Sequence, residues 1–305
     1  MPKPPRPTQS SPRRTSHPVR LHARGRQDGS ATLETAGTTM LTVNAPRSTG
    51  SPFVRRLATE LLGAGASLTD LKSMGLPVPN LAHEVVVRRA KQDELNKIIL
   101  LRTLAYRHDG KYDSPDAFTD EFDEGAAHLA AFFCGRAVAA LRLMLPGDDE
   151  ATEHQLYFQW PSDFPSPLEV ADISRVCVHP DFRRCRILEA LFQRAAAEVL
   201  RCDRRWLVGS APAELLPMYE RIGCVATPIQ WSDPEVTGGI DHTVFLCDVR
   251  SALLGKTKPL VWLFLWRKVA RALLEDGVLL PQTLPERLRV GAMLGLGRVV
   301  DAVTE

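Results

Sequence analysis

The residues best suited to chemistry lie in one short segment, residues 169–175, which holds two carboxylates, a serine and an arginine. A carboxylate held in position can accept the proton of an amine, directly or through water. Asp172 is the first candidate for such a general base, and Glu169 is the second. Because side chains alternate along a strand, we expect Asp172 and Ser174 on one face. Glu169 and Arg175 would lie on the other face, so the two acids would not share a task.

Other kinds of catalytic or binding site lack their motifs in this sequence. No G-x-S-x-G elbow surrounds Ser174 or Ser210. The eight histidines show no H-x-x-x-H or H-E-x-x-H spacing, and the six cysteines form no C-x-x-C pair, so we expect neither a metal site nor a disulfide framework. Cys177 could carry an acyl group, but its apolar neighbours favour an ordinary buried thiol. No P-loop or dinucleotide fingerprint is present, and we expect no tightly bound cofactor.

The charge is distributed unevenly along the 305 residues. The chain is 44% apolar and 24% charged, typical of a soluble globular protein, with a net charge of +2. Residues 1–50 contain eight basic and two acidic residues, whereas the remaining 30 basic and 34 acidic residues give the body a net charge of −4. The body is therefore not expected to bind nucleic acid.

The longest apolar stretch, residues 259–266, is much shorter than the roughly 20 residues of a membrane span, so no integral membrane insertion is expected. With no secretory leader evident, we predict a cytoplasmic protein. The stretch contains Trp262 and Trp266 and has three interpretations: core packing, a contact with a second copy or a carrier, or peripheral association with a membrane surface.

The sequence divides into four parts. Residues 1–50 are rich in proline, serine and arginine, which predicts a disordered tail; a transit peptide and a tether to acidic surfaces are alternatives. Residues 51–80 predict a helical arm. Residues 81–250 predict a mixed α/β domain, and residues 251–305 an amphipathic helical extension.

Six strands and three helices are predicted between residues 84 and 249, from β-branched runs and helical spacing respectively. Two further helices are predicted at residues 259–274 and 285–303, the second with an apolar stripe containing Leu288, Met293, Leu296 and Val299. The predicted strands are residues 84–89, 128–134, 137–145, 168–179, 205–209 and 243–249, and the predicted helices among them are residues 91–106, 188–200 and 213–222.

Three local features and the order of the elements resemble the GNAT acetyltransferase superfamily over residues 84–250. VCVHPDFR at residues 176–183 resembles the fourth strand of that family and the loop after it, followed by the helix at residues 188–200. LLPMYERIGC at residues 215–224 resembles a helix ending typical of the family. The resemblance implies a GNAT-like fold with helical extensions at both ends.

A narrower resemblance concerns the segment Asp172-Ile-Ser174-Arg175. It is similar to the E-x-S-R signature of acyl-homoserine-lactone synthases and long-chain N-acyl amino acid synthases, with aspartate in place of the usual glutamate. Those enzymes transfer a fatty acyl chain from acyl carrier protein to an amine. The acidic pair and the strand arginine of that group are matched by Asp120, Asp123 and Arg142. The resemblance implies an acceptor site formed by Asp120, Asp123, Arg142, Ser174 and Arg175.

Two alternatives remain open for that acceptor site and for the acid that completes the reaction. Arg142 and Arg175 either hold the carboxylate of an amino acid or pair with the neighbouring aspartates. Tyr219 either protonates the departing thiolate or is a half-buried packing residue. The resemblance also implies that backbone N–H groups near Val176 and Val178 polarise the thioester carbonyl.

The loop after the fourth strand bears on the acyl donor. Family members that use acetyl-CoA resemble R/Q-x-x-G-x-G/A here, whereas this chain places Arg186 and Leu188 at the two glycine positions. Side chains would crowd a pyrophosphate, but arginines suit the single phosphodiester and acidic surface of a carrier protein. A solvated basic turn is the alternative. The proposed carrier contacts are Arg183, Arg184 and Arg186.

These residues predict an N-acyltransferase that moves a fatty acyl group from acyl carrier protein to the amine of an amino acid, with acyl-phosphopantetheine as cosubstrate. Two other enzymes remain possible on this evidence: an acyl-homoserine-lactone synthase and a CoA-dependent acetyltransferase. A degenerate fold that binds a carrier protein without catalysis is a fourth interpretation.

Overall fold

The computed structural model describes residues 85–110, 118–145, 153–183, 186–233 and 237–304, with side chains described as far as residue 300. The predicted tail at residues 1–50 and the helical arm at residues 51–80 lie outside the described residues. The described residues form a mixed α/β architecture, as predicted.

A seven-stranded sheet runs through the described part of the chain in the order β1-β2-β3-β4-β5-β7-β6. Neighbouring strands are antiparallel except β4 and β5, which run parallel. All six predicted strands occur, displaced by at most three residues at an end. The strands are Val86–Arg89 (β1), Ala127–Phe133 (β2), Arg136–Met144 (β3), Val170–Val178 (β4), Trp206–Pro212 (β5), Val225–Trp231 (β6) and His242–Asp248 (β7).

Helices cover both faces of the sheet. The main helices are Leu95–His108 (α1), Glu153–Tyr157 (α2), Ile187–Arg201 (α3), Leu216–Ile222 (α4), Arg267–Glu275 (α5) and Leu284–Thr304 (α6). Shorter helical turns lie at Gln92–Glu94, Glu121–Asp123, Pro167–Glu169, Pro180–Phe182, Val249–Ser251, Ala252–Lys256, Pro259–Val261 and Trp262–Trp266.

Alternation along β2 builds the two layers. Leu129 and Ala131 belong to the large core that contains α3, and Ala130 and Phe132 belong to the smaller core against α1. In α3, buried apolar residues recur every fourth position from Ile187, which places one continuous stripe against the sheet.

The sheet opens between β4 and β5. These strands pair only from Val170 to Asp172, against Trp206 to Val208, and then separate. On the other edge of β4, Cys177 is the partner of Ala140 and Ser174 the partner of Arg142, so two residues of β4 stand opposite one of β3. This bulge bends the strand at Arg175, whose φ is +51°. The separation and the bulge leave a cleft in the middle of the sheet.

A close backbone approach at Gly209 maintains the packing beside this cleft. A Cβ atom at Gly209 would lie 2.5 Å from a ring carbon of Phe245 and 2.9 Å from a methyl carbon of Ile173. Only glycine fits there without a shift of these buried side chains.

The C-terminal helices pack against the large core. Trp262 and Trp266 are buried, and their indole N–H groups donate to the carbonyl oxygens of Leu253 (2.8 Å) and Ile222 (3.2 Å). Core packing is therefore the correct interpretation of the two tryptophans, while Leu260 and Phe264 are exposed. Among the described residues, no helix combines the length and apolar character that crossing a membrane requires.

Two details of the sequence interpretation were wrong. No strand was predicted between residues 222 and 243, yet this segment contains β6, because the proline and polar residues of VATPIQW hid a half-exposed edge strand. In α6, Leu288, Leu296 and Val299 of the predicted stripe face solvent. The buried side of that helix is formed by Val290 and Met293, together with Glu286, which pairs with Arg250.

Candidate active site

A cavity occupies the cleft where β4 and β5 separate. It is lined by charged and polar side chains as well as by apolar ones. Its walls come from α1, α2, β4, β5, α4 and the β6–β7 region, so six separate parts of the chain meet there. The lining residues include Glu153, His154, Ser174, Arg175, Val176, Ser210, Leu215, Tyr219, Trp231, Ile240 and His242.

Asp172 is completely buried and does not line this cavity. Its two carboxylate oxygens lie 2.7 and 2.8 Å from Nδ1 of His154, and one of them accepts a hydrogen bond of 2.9 Å from the backbone N–H of His154. The first candidate base is therefore covered by a histidine, and it can reach a substrate only through that histidine.

His154 connects Asp172 to the cavity. Because a carboxylate only accepts, Nδ1 of His154 donates to Asp172, and the neutral ring then has its lone pair on Nε2. That Nε2 lies 3.0 Å from Oγ of Ser210, whose side chain is partly exposed. Nδ1 of His242 lies 3.4 Å from the same hydroxyl. The geometry defines a continuous chain from a buried carboxylate through an imidazole to a hydroxyl at the cavity.

The surroundings of His154 act on its pKa in opposite directions. Burial alone would lower it, but the charge of Asp172 and the hydrogen bond to it outweigh that effect, and the pKa is raised above its usual value. Glu153 raises it further and Arg142 lowers it. The edge of the Trp231 ring closes one side of the imidazole at a centroid distance of 6.1 Å.

A second buried network surrounds Arg142. Its guanidinium hydrogen-bonds to Asp120, lies 3.1 Å from Asp123 and 2.8 Å from Glu153, and donates from Nε to Ser174 at 3.0 Å. Arg175 donates to Asp120 at 2.6 Å, and Arg102 holds both oxygens of Asp123 at 2.9 Å.

Three arginines and three carboxylates thus compensate one another in this network. Of the two roles open for Arg142 and Arg175, the structure contains the pairing with Asp120 and Asp123. Burial alone would raise the pKa of Asp120, but Arg142 and Arg175 outweigh it and lower the pKa to about 2.

The bulge in β4 corrects the predicted alternation. Strict alternation would point Arg175 away from Ser174, yet both line the cavity, and Arg175 shares Asp120 with the arginine that binds Ser174. Glu169 lies before β4 in the turn Pro167–Glu169, is exposed, and is not among the residues that line the cavity. It is remote from the chemistry expected there.

Of the residues expected to polarise the thioester carbonyl or to protonate the thiolate, some line the cavity and one does not. Val176 lines it, whereas Val178 pairs with Ala139 in the sheet and does not. Tyr219 also lines it, with its ring stacked on Phe245 at 4.2 Å. Burial raises the pKa of Tyr219, so its phenol stays protonated at neutral pH. The tyrosine therefore packs in the core and also presents a protonated group to the cavity side.

The three proposed carrier contacts differ in their surroundings. Arg183 is exposed and forms a two-pronged ion pair with Asp109 at 2.6 and 3.0 Å. Arg186 precedes α3 and pairs with Glu189. Arg184 lies outside the described residues. The two described arginines are therefore already compensated by nearby acids, which the sequence did not indicate.

Cys177 is an ordinary buried thiol. It packs in the smaller core against α1, and burial raises its pKa to about 11, so that the thiolate is scarce at neutral pH. Among the described residues, no cluster of three or more histidine, cysteine or acidic side chains could hold a metal ion.

His154 and the role of Ser210 were not predicted from the sequence. His154 is 18 residues from Asp172 and 56 from Ser210, so no local motif connects them. It stands in a five-residue helix, too short to show a period. The available signal was the buried, strand-borne carboxylate itself, since a buried charge requires a partner.

Comparison with known proteins gives a match to a family model over part of the chain. Residues 101–193 match the model of the acetyltransferase (GNAT) domain family. No curated protein matches the sequence. The match contains β2, β3, β4 and α2, which provide much of the site.

Solved structures similar to this chain include several acyltransferases. FeeM, an N-acyl amino acid synthase from uncultured soil microbes, is 12% identical with a TM-score of 0.44, over 55% of this chain and 93% of its own. An acyl-CoA N-acyltransferase from Pseudomonas aeruginosa is 25% identical with a TM-score of 0.39, over 53% and 97%. The ribosomal-protein-S18-alanine N-acetyltransferase from Escherichia coli is 14% identical with a TM-score of 0.39, over 54% and 94%. Residues 101–193 therefore match a GNAT acetyltransferase domain, and the remainder of the chain lies outside that match.

Proposed function

We propose that this protein is an N-acyltransferase that moves a fatty acyl group from the phosphopantetheine of an acyl carrier protein to the amine of an amino acid. The observation that carries the proposal is the cavity between β4 and β5. It combines charged groups suited to an amino acid with apolar side chains suited to an acyl chain.

The acceptor is an amino acid because the cavity offers groups of both signs. Arg175 lines it and matches a carboxylate, while Glu153 lines it and matches an ammonium group. Both are already members of the buried network around Arg142, which holds them in fixed positions. An acceptor carboxylate would compete with Asp120 for the Arg175 guanidinium.

The donor is a carrier protein because the loop before α3 lacks the glycines that let a backbone approach a pyrophosphate. Arg186 stands directly before the first residue of α3, where those glycines would be needed. An acidic carrier surface could exchange with Asp109 and Glu189 for the exposed Arg183 and Arg186 side chains.

A CoA-dependent acetyltransferase is the second candidate. The family model that matches residues 101–193 describes an acetyltransferase domain, and this observation favours it. The two candidates differ in donor and in acyl length, so one assay separates them.

The test supplies the purified full chain with acyl carrier protein loaded with C8, C12 or C16 chains, with the matching acyl-CoA donors, and with acetyl-CoA. Each reaction contains the twenty amino acids, and products are identified by mass spectrometry. We expect N-acyl amino acids from the loaded carrier protein at a kcat/KM at least tenfold above the matching acyl-CoA. Acetylated products from acetyl-CoA alone would establish the second candidate, and equal use of carrier and CoA would overturn the donor argument.

An Arg175→Gln variant tests the acceptor separately. Its KM should rise about tenfold for the preferred amino acid, because a charge-assisted contact contributes roughly 1.5–3 kcal/mol. The same amine without its carboxylate serves as the control substrate, and its KM should not change. A parallel rise for both substrates would assign Arg175 to structure rather than to the acceptor.

A further inference from the structure

The chain Asp172–His154–Ser210 lies outside the roles that the family signature implies. Ser210 stands on β5, across the cleft from the bulge, and was not a member of any motif in the sequence. His154 is 2% exposed, so a substrate amine cannot approach its Nε2 without first meeting Ser210, which occupies that nitrogen at 3.0 Å.

We propose that Ser210, His154 and Asp172 form a proton relay that deprotonates the acceptor amine, with Ser210 in contact with the amine, His154 as the base and Asp172 as the positioning residue. This inference rests on the proposed function. The role of base therefore moves from Asp172, which is buried behind the imidazole, to His154, which lines the cavity.

An acceptor ammonium gives one proton to Oγ of Ser210 while the hydroxyl proton of Ser210 passes to Nε2 of His154. The neutral amine forms the C–N bond with the thioester carbonyl, the C–S bond breaks, and its electron pair leaves on sulfur. The thiolate takes the second proton of the nitrogen as the amide forms. The imidazolium, paired with Asp172, finally releases its proton to solvent.

Several charged and titratable groups surround His154 and enter its titration. Asp172 faces Nδ1 from β4, and Glu153 and Tyr157 belong to its own helix. Arg142 acts from β3, and His242 from β7 lies 3.4 Å from the shared hydroxyl. The relay works with neutral His154, so kcat should rise with pH through the raised pKa of this residue.

A matched pair of substitutions tests the hydroxyl. Val and Thr have nearly the same shape, so Ser210→Val removes the hydroxyl and Ser210→Thr keeps it while both add the same bulk. We expect kcat to fall about 100-fold in Ser210→Val and to stay within about tenfold of wild type in Ser210→Thr. Equal activities of the two variants would overturn the relay.

The Asp172→Asn variant tests the positioning residue through the pH profile of kcat. Without the carboxylate charge the pKa of His154 falls, so the rising limb should move to lower pH and the plateau should drop. The pKa of the imidazole is measured independently by NMR with labelled histidine, assigned with His154→Gln. A profile that keeps its midpoint would overturn the role of Asp172. Glu94→Gln is the control, because it weakens a partly buried ion pair with Arg88 away from the cavity.

A covalent alternative gives a different result. If Ser210 attacked the thioester itself, the protein incubated with acyl donor but no amine would gain the mass of one acyl group, and Ser210→Thr would gain it poorly. The relay predicts no such adduct, and finding one that Ser210→Val abolishes would overturn it. Failure of the proposed function looks different again: the wild-type protein would then form no N-acyl product with any donor.

Discussion

Two buried polar networks lie on either side of β4, and they are built differently. The network around Arg142 is a closed set of ion pairs in which every charge meets an opposite one. The chain through His154 is linear and runs to Ser210, a hydroxyl at the cavity that His242 also approaches. The closed network consists of Arg102, Asp120, Asp123, Arg142, Glu153 and Arg175.

The difference between the two networks suggests different roles: the closed one stabilises the fold, and the linear one transfers protons. We expect this closed set of charges to have a structural role, because each of its carboxylates already lies against an arginine. The linear chain has one titratable ring between a fixed charge and an open end, so a proton can enter and leave. We therefore expect damage to the first network to appear mainly in stability and damage to the second mainly in turnover.

The largest expected effect is on stability, from Arg142→Met. Removing this guanidinium leaves Asp120, Asp123 and Glu153 with too little positive charge in a buried site, and breaking such a set costs about 3–5 kcal/mol. Urea denaturation measures the free energy of unfolding. The control is Arg205→Met, which breaks a pair with Asp248 at a half-exposed arginine and should cost at most about 1 kcal/mol. Equal costs for both variants would contradict a special role for the closed network.

A crossed pair of substitutions sharpens the comparison further. Asp123→Asn and Asp172→Asn each neutralise a buried carboxylate, but in different networks. Asp123→Asn should destabilise the protein by about 2–4 kcal/mol, because Arg102 and Arg142 lose a shared partner. Asp172→Asn should lower kcat about 100-fold while the folded fraction stays high. Steady-state kinetics and urea unfolding are measured on the same preparations of both variants. Similar losses of kcat and of stability in the two variants would contradict the assignment of one network to structure and the other to chemistry.

The two networks should also respond to pH in opposite directions. The pKa of Asp120 is about 2 in the fold against an ordinary 3.8, so its stabilisation exists above pH 3.8 and is lost as the pH falls toward 2. The pKa of His154 is raised, so its stabilisation exists below pH 6.5 and is lost as the pH rises through the folded value.

Difference curves of unfolding free energy against pH isolate these two contributions. Subtracting the Asp120→Asn curve from the wild-type curve should reveal an acid limb of about 2 kcal/mol between pH 4 and 2. Subtracting the Asp172→Asn curve should reveal a limb of opposite slope above pH 6.5. If both difference curves had the same slope, Asp120 and His154 would not be paired with the opposite charges described above.

The two networks also differ in how far the sequence could predict them. Asp120, Asp123, Arg142 and Arg175 were recognisable together because they resemble the signature residues of a known group of enzymes. The sheet was predicted from periodicity, since long apolar strands such as β2 leave little choice. The chain through His154 depends on a five-residue helix and on strands that separate, and neither feature has a local pattern. The bulge at Arg175 reversed the face predicted for that residue, because a positive φ in a non-glycine residue cannot be inferred from alternation.

The smallest expected effect concerns the exposed ion pairs, which contrast with both buried networks. Arg183 and Arg186 are partly exposed and paired with Asp109 and Glu189, so their pairs contribute little to stability. The double substitution Arg183→Gln and Arg186→Gln should therefore change the unfolding free energy by less than about 1 kcal/mol.

The same double variant should raise the KM for acyl carrier protein about three- to tenfold at low salt, because exposed charges mainly attract and orient a charged partner. The difference from wild type should shrink as salt is added, since screening weakens contacts between exposed charges. Acyl-pantetheine, which lacks the acidic protein surface, is the control donor, and its KM should be the same for both proteins. An unchanged KM for the carrier would leave these arginines as partners of Asp109 and Glu189 alone. If the KM rises as expected, the exposed pairs differ in kind from the buried ones, because an exposed arginine can exchange one acidic partner for another without a loss of stability.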